Sequence, residues 1–180
     1  MQLFNPVSTP ILTTERLVLR ALSFDDASAI LQLRSNESVN KYLDRPKAIN
    51  LEDAKAFIEK IQKGSHRKDS YYWAICYKGH DNLLGTTCLW SVSEDNTMAE
   101  MGYELHPEHQ GKGIMQEAVA AVIDFALNVL HFKIITAVTM LENVPSIKLL
   151  TQKGFLLDND YTYVSKEDAN GGQVFYLLNN

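Results

Sequence analysis

The feature that most constrains the fold is an amphipathic helix predicted over residues 114–129, between two strand-like segments. Its apolar stripe consists of Ile114, Met115, Ala118, Val119, Val122, Phe125, Ala126 and Val129. Segments with strand-like composition lie on either side of it, over residues 99–105 and 132–139. A helix with one broad apolar face must bury that face against another layer, so the pattern predicts a helix packed on a sheet.

The rest of the chain supplies further strands and helices around this unit. Ser23 begins a capping-box spacing ahead of one helix, and Asn50 caps another that we expect to end at Gly64. A third short helix is predicted over residues 146–153. Further strands are predicted over residues 16–20, 71–77, 84–90, 161–164 and 173–178. The resulting order, β-α-α-β-β-β-α-β-α-β-β, predicts an α/β domain with a mixed sheet.

Composition excludes several classes of protein. With 180 residues, 46% of them hydrophobic, and a net charge of −5, the chain can bury a core and is not expected to be disordered. No apolar run approaches the ~20 residues of a membrane span, and the N-terminus lacks a signal-peptide pattern. Two cysteines without zinc-site spacing predict a cytoplasmic protein without a metal site. Mild acidity without a basic stripe argues against direct nucleic acid binding.

The loop that precedes the long helix is suited to an anion. It reads His109-Gln110-Gly111-Lys112-Gly113-Ile114-Met115. Glycines let backbone N–H groups approach a ligand closely, and a helix N-terminus adds partial positive charge, so a phosphate is the expected anion. The loop matches neither the Walker pattern nor the dinucleotide fingerprint, which would need glycine at Gln116. Taken alone, it is also compatible with a plain loop and helix start.

Three motifs in order resemble the GNAT acetyltransferase superfamily and, within it, the RimJ/RimL-like branch. They are the run from His106 to Ile114, the segment Thr14-Glu15-Arg16-Leu17-Val18-Leu19-Arg20, and Asn143-Val144-Pro145-Ser146 followed by Gly154-Phe155. The resemblance spans roughly residues 14–180 and leaves residues 1–13 as an N-terminal extension. It implies a GNAT-like single α/β (α+β) domain, in which a mixed, mostly antiparallel central sheet of six to seven strands is flanked by about four helices.

The resemblance implies acetyl-CoA as the cofactor. The family loop reads [Gln/Arg]-x-x-Gly-x-[Gly/Ala], and Gln110-x-x-Gly113-x-Met115 departs from it at the last position. The pantetheine arm would pair with backbone at the end of the preceding strand, and the pyrophosphate would lie on the loop amides. The cofactor-binding residues implied are Leu105, His106, Gln110, Gly111, Lys112, Gly113, Ile114, Met115, Asn143 and Ser146. For Lys112 the alternative is a solvated loop lysine, and for Asn143 a helix cap.

Amine acetylation needs a neutral amine, a polarised thioester carbonyl and a protonated leaving thiolate. Glu100 and Glu104 share one face of the strand over residues 99–105, which makes them candidate general bases, with Glu104 preferred. The alternative is a solvated sheet face. The tyrosine that many family members use as proton donor falls at Leu150 here, so the resemblance implies Ser146 instead, with helix capping as its alternative.

We therefore expect an acetyl-CoA-dependent N-acetyltransferase that acts by direct attack in a ternary complex, because Cys76 and Cys88 lack the partners of a nucleophile. By similarity to ribosomal-protein acetyltransferases, the expected acceptor is a protein N-terminal α-amine. Such an amine, with a pKa near ~7.8, is about a tenth neutral at pH 7, whereas a lysine-like amine near ~10.4 is neutral about once in 2,500. An α-amine therefore needs only a weak base or a water relay.

Other readings stay open from sequence alone. The acceptor could be a small amine, such as a polyamine, an amino acid or an aminoglycoside. The departures at Met115 and Leu150 also allow a non-catalytic acyl-CoA-binding module. Tyr42, Trp90 and Tyr103 are assigned to core or rim packing, with an acceptor pocket as the alternative. The resemblance is compatible with a homodimer, which the sequence itself does not show.

Overall fold

A sheet of eight strands runs through the computed structural model, which describes residues 9–43, 45–67 and 70–179. Its strands are β1 (Leu12–Thr13), β2 (Leu17–Ala21), β3 (Tyr71–Tyr77), β4 (Leu83–Trp90), β5 (Met98–Leu105), β6 (Ile134–Thr139), β7 (Leu156–Leu157) and β8 (Gln173–Leu178). The helices are α1 (Ala27–Ser35), α2 (Glu37–Asn40), α3 (Leu51–Arg67), α4 (Ile114–Asp124) and α5 (Val144–Gln152).

The order of strands across the sheet is β1-β2-β3-β4-β5-β6-β8-β7. All neighbours are antiparallel except β5 and β6, which are parallel and pair only over residues 98–100 and 134–136. Beyond that short pairing, β5 follows β4 as far as Leu105, while β6 follows β8 as far as Thr139. The C-terminal halves of β5 and β6 therefore separate, and a split opens in the middle of the sheet.

Each face of the sheet is covered by helices with the predicted apolar stripes. On one face, α4 buries Ile114, Ala118, Val119 and Val122 in the larger core, together with Trp73 of β3. On the other face, α1 and α3 form a smaller core of buried residues, made of Leu22, Ala27, Ile30, Ala54, Ile58, Tyr72, Ala74 and Cys76. Full burial of one large apolar side chain stabilises the fold by about 1.5–3 kcal/mol, so these two layers hold the sheet in place.

The mixed, mostly antiparallel sheet confirms the predicted fold class, although the described residues alone form eight strands and five α-helices, more than expected. The prediction of a strand over residues 161–164 is wrong. Those residues form bends, and Tyr161 has a left-handed φ of 52°, which breaks an extended run. The edge strand beside β8 is instead β7, which consists of Leu156 and Leu157.

Two helix ends also differ from the prediction. Gly64 does not end α3, which continues to Arg67; Gly64 is buried inside the helix, and a Cβ there would lie 3.0 Å from Ser70 Oγ. A small residue is therefore needed at this contact rather than a helix stop. After α4 the helical path continues as one π-helical segment over Phe125–Val129 instead of regular α-helix. No helix in the described ranges is long and apolar enough to cross a membrane.

The N-terminal residues that the structure describes pack on the domain. Leu12 and Thr13 form β1 and pair with β2, and Trp73 Nε1 donates a hydrogen bond to the Pro10 carbonyl at 2.7 Å. Of the predicted extension over residues 1–13, residues 1–8 lie outside the described part of the chain.

Candidate active site

A cavity of about 520 Å³ lies where β5 and β6 separate. Its wall combines the end of β5, the loop and first turn of α4, the first turns of α5, and the segment around α2. The residues that line it are Ser38, Val39, Tyr42, Leu43, Tyr103, Glu104, Leu105, Gln110, Gly111, Gly113, Ile114, Met115, Gln116, Asn143, Pro145, Ser146, Lys148, Leu149 and Gln152.

The loop before α4 has the conformation that an anion site requires. Gly111 and Gly113 have left-handed φ values of 72° and 74°, and no atom lies within 4 Å of where a Cβ at Gly111 would be. Gly113 is the N-cap of α4, and no side chain caps that helix end. The first N–H groups of the helix are therefore available to an anionic ligand.

Arg16 ties this loop to the start of the domain. Its Nη1 donates to the Lys112 carbonyl at 3.1 Å, and its Nε pairs with Glu117 Oε2 at 2.6 Å. Glu117 also accepts hydrogen bonds from Thr14 Oγ1 at 2.5 Å and from the Arg16 backbone N–H at 2.8 Å. The Thr14–Arg16 part of the N-terminal motif therefore joins β2, the loop and α4.

Only some of the backbone groups at the end of β5 face the split. The His106 N–H donates to the Leu84 carbonyl at 2.9 Å, so it is engaged with β4 and not offered to a pantetheine arm. By the alternation of strand hydrogen bonds, the peptide groups of Leu105 point towards the split. The Leu105 carbonyl accepts a hydrogen bond from Gln110 Nε2 at 3.0 Å.

Glu104 lies at the centre of a buried polar network, and its side chain is only 6% exposed. Its Oε2 is paired with Arg45 Nη2, and its Oε1 accepts a hydrogen bond from Thr86 Oγ1 at 3.2 Å. Arg45 is held in turn by Asn40 Oδ1, at 2.9 Å from its Nε. A solvated sheet face does not describe this residue, because both carboxylate oxygens are engaged inside the protein.

Glu100 does not line the cavity. It is four residues before Glu104, about 13 Å away along an extended strand. Partial burial and the nearby Asp168 raise the pKa of Glu100 to about 7. Trp90, which pairs with Glu100 across β4 and β5, is exposed and also lies away from the cavity. The structure therefore separates the two candidate carboxylates and brings only Glu104 to the site.

Ser146 projects from the first turn of α5 towards β5. Its Oγ lies 2.7 Å from Tyr103 Oη, and its backbone N–H donates to Asn143 Oδ1 at 3.3 Å. Asn143 therefore caps α5 while it also lines the cavity. Burial raises the pKa of Tyr103 to about 12, against a smaller opposing effect of the hydrogen bond with Ser146. Leu150 is fully buried in the larger core.

The cavity brings together nine of the twelve catalytic and cofactor-binding residues expected from sequence: Glu104, Leu105, Gln110, Gly111, Gly113, Ile114, Met115, Asn143 and Ser146. Glu100, His106 and Lys112 are not on its wall. Sequence reasoning missed Arg45, which lies in a loop without any motif. It assigned Tyr42 and Tyr103 to packing, with an acceptor pocket as the alternative, and both line the cavity.

Neither cysteine offers a nucleophile. Burial raises the pKa of the Cys76 thiol, and it raises the pKa of Cys88 to about 12, so both thiols are protonated at neutral pH. Neither lines the cavity. Among the described residues, no three His, Cys, Asp or Glu side chains are grouped as metal ligands would be.

The family model for the acetyltransferase (GNAT) domain matches residues 16–156, which include the loop, β5 and α5. The chain belongs to the GNAT family. It is an N-acetyltransferase that uses acetyl-CoA, and the resemblance inferred from its motifs is confirmed. The match covers the whole wall of the cavity, from α2 to α5.

Other GNAT proteins resemble the chain over most of its length. The uncharacterized N-acetyltransferase p20 of Bacillus licheniformis is 35% identical over 144 residues, which cover 80% of this chain and 81% of that protein. RimJ of Mycobacterium smegmatis, solved with a CoA-disulfide, superimposes with a TM-score of 0.81 at 16% identity. The match covers 97% of this chain and 90% of the RimJ chain. RimL, a ribosomal L7/L12 α-N-protein acetyltransferase solved with coenzyme A, superimposes with a TM-score of 0.80 at 19% identity. The match covers 94% of this chain and 98% of RimL.

Proposed function

We propose that this N-acetyltransferase acetylates the N-terminal α-amine of a protein, by direct attack on acetyl-CoA in a ternary complex. The observation that carries the choice of acceptor is the engagement of Glu104. It is the one carboxylate among the described residues that line the cavity, and Arg45 and Thr86 occupy both of its oxygens.

A carboxylate held in this way favours an acceptor that needs little help to lose its proton. Making an α-amine neutral at pH 7 costs roughly 1 kcal/mol, whereas a lysine-like amine costs about 4.6 kcal/mol. Glu104 is already paired with Arg45, so it cannot supply most of the larger cost that a polyamine requires. An α-amine can instead pass its proton to Glu104 or to a water molecule.

The charges of the wall favour the same acceptor. Among the described residues, Arg45 neutralises Glu104, and Lys148 adds a positive charge at the α5 side of the cavity. A polyamine carries several positive charges and gains nothing from such a wall, while a peptide N-terminus carries one. RimL, which shares the fold, is named as an α-N-protein acetyltransferase.

The remaining roles follow from the placement of each group. The amides of the loop at Gly111 and Gly113 and the first turn of α4 hold the diphosphate of acetyl-CoA, which supplies the acetyl group. Glu104 is the proposed base, on one face of β5, and Ser146 is the proposed hydrogen-bond donor to the departing sulfur, on the other face. Glu100 stays a second candidate base, which would act only through water because of its distance. The protonated thiols favour direct transfer over an acyl-cysteine.

The test is acetyl transfer to a panel of amines by the purified protein. We expect turnover on a lysine-free peptide with a free N-terminus, none on the same peptide with a blocked N-terminus, and at least about tenfold lower kcat/KM on spermidine. Turnover on spermidine or an aminoglycoside alone would replace the proposed acceptor with a small amine. Acetyl-CoA binding without turnover on any amine would instead identify a non-catalytic binding module.

A further inference from the structure

Two hydroxyl groups meet on the wall of the cavity opposite Glu104. Tyr103 Oη and Ser146 Oγ are 2.7 Å apart, and both side chains line the cavity. Ser146 is buried, and its position is fixed by the Asn143 cap on its own N–H. The pair thus joins β5 to α5 across the opening of the split.

The hydrogen bond between them has a preferred direction. Each hydroxyl has one proton, and a phenol is a better donor than an aliphatic alcohol. Burial raises the pKa of Tyr103 to about 12, so the phenol keeps its proton at neutral pH. When Tyr103 donates to Ser146 Oγ, the Ser146 proton cannot point back at Tyr103 and is free to point into the cavity.

We propose that Tyr103 is a positioning residue that orients the Ser146 hydroxyl towards the sulfur released during acetyl transfer. This inference rests on the proposed function, because it assigns the Ser146 side of the split to the leaving group. In the reaction the amine nitrogen bonds to the acetyl carbon and the carbon–sulfur bond breaks, with its electron pair going to sulfur. The amine proton leaves to Glu104 or water, and Ser146 donates a hydrogen bond to the thiolate.

Tyr103 itself does not give up its proton. A thiol has a pKa of about 8.5, so a phenol with a pKa of about 12 is too weak an acid to protonate the thiolate. The thiolate takes its proton from water when CoA is released. Tyr103 therefore acts through the direction of one hydrogen bond, and its contribution depends on the Ser146 hydroxyl.

A double-mutant cycle tests this dependence with the peptide acceptor. We expect Tyr103→Phe and Ser146→Ala each to lower kcat about tenfold, with KM for acetyl-CoA changed less than about twofold. The double variant should be no slower than Ser146→Ala alone, because Tyr103 acts through Ser146. Tyr71→Phe is the matched control, since Tyr71 packs against the same core but does not line the cavity, and it should keep the wild-type kcat.

A second measurement does not depend on any acceptor. A hydrogen bond from Ser146 favours the thiolate of bound CoA, so the ratio of CoA to acetyl-CoA affinity should rise about tenfold between about pH 7 and about pH 9.5. Calorimetry should show that rise in the wild type and in Tyr71→Phe, and its loss in Ser146→Ala and Tyr103→Phe. Acetyl-CoA has no free thiol, so titrations of the protein and of the phosphates cancel in the ratio.

The outcomes separate the inference from the proposed function. The role of Tyr103 would be overturned if the losses of kcat in the two single variants multiplied in the double variant. It would also be overturned if Tyr103→Phe kept both the wild-type kcat and the pH-dependent affinity ratio. A wild type that shows the ratio change but acetylates no peptide would overturn the proposed acceptor and leave the orientation of Ser146 in place.

Discussion

At the scale of single residues, Glu100 shows how a carboxylate on the sheet can influence stability instead of the site. Partial burial and the nearby Asp168 disfavour its charged form and raise its pKa from 4.5 to about 7. The folded protein therefore holds this proton more tightly than the unfolded chain. Glu100 therefore makes its full contribution to the free energy of unfolding below about pH 4.5, and this contribution is lost as the pH rises through about 7.

Replacing Glu100 with glutamine keeps the shape of the protonated form and removes the charge. We expect Glu100→Gln to match the wild type near pH 4.5 and to be more stable above pH 7, by on the order of 1–3 kcal/mol. Urea unfolding at about pH 5 and about pH 8 measures the difference. Asp168→Asn removes the smaller of the two causes and should show the same trend to a lesser extent. An equal difference at both pH values would contradict this account.

Sequence patterns located the residues of the site better than they located their partners. Alternation correctly put Glu104 and Tyr103 on opposite faces of one strand, because that depends only on the strand period. Arg45 lies 59 residues from Glu104 along the chain, so their pairing depends on how distant segments pack. No local pattern could show that Glu104 is paired, or that Ser146 meets Tyr103.

At the scale of elements, the loop between β5 and α4 is the proposed diphosphate site, and the left-handed φ values of Gly111 and Gly113 shape its backbone. Gly113 and Gly79 have nearly the same left-handed φ, 74° and 76°, but Gly79 lies in the turn between β3 and β4. The two glycines therefore separate a general cost of strain from a specific effect on the ligand.

We expect Gly113→Glu to weaken CoA binding at least about tenfold, because a carboxylate at the α4 N-cap repels the diphosphate and occupies its space. Gly79→Glu carries the same charge and similar backbone strain, so it should lose comparable stability and keep wild-type affinity. Calorimetry with CoA, together with thermal unfolding of each variant, makes the comparison. Wild-type affinity in Gly113→Glu would show that the loop is not the diphosphate site, and equal loss in both variants would assign the effect to backbone strain.

Helices and strands with strong periodicity were predictable, while irregular ends were not. The stripe of α4 fixed its buried face, and the hairpin of β3 and β4 followed from composition and turn residues. The segment over residues 161–164 has strand-like composition, but a left-handed Tyr161 and the bends around it prevent pairing. A high strand propensity means that the side chains fit a pleated surface. It does not show that the segment has a partner strand.

At the scale of the whole molecule, sequence order gave the layers of the fold but not the depth of the split. The resemblance implied a mixed, mostly antiparallel sheet, with the pantetheine arm paired to backbone at the end of β5. How far two parallel strands stay paired depends on contacts between distant segments, and here they pair over only three positions on each strand. The size of the cavity follows from that short pairing together with the placement of α2 and α5.

The short parallel pairing also sets when the protein becomes competent to bind. Antiparallel neighbours such as β3 and β4 are joined by a tight turn, whereas β5 and β6 meet only after α4 has crossed over the sheet. Contacts between segments distant in sequence form slowly, because closing a long loop costs chain entropy before the contacts add any favourable free energy. In refolding from urea, CoA binding should appear in the slowest phase and lag behind the recovery of far-UV circular dichroism. Simultaneous recovery would show that the split forms together with the hairpins; a lag would make ligand binding a reporter of the completed fold.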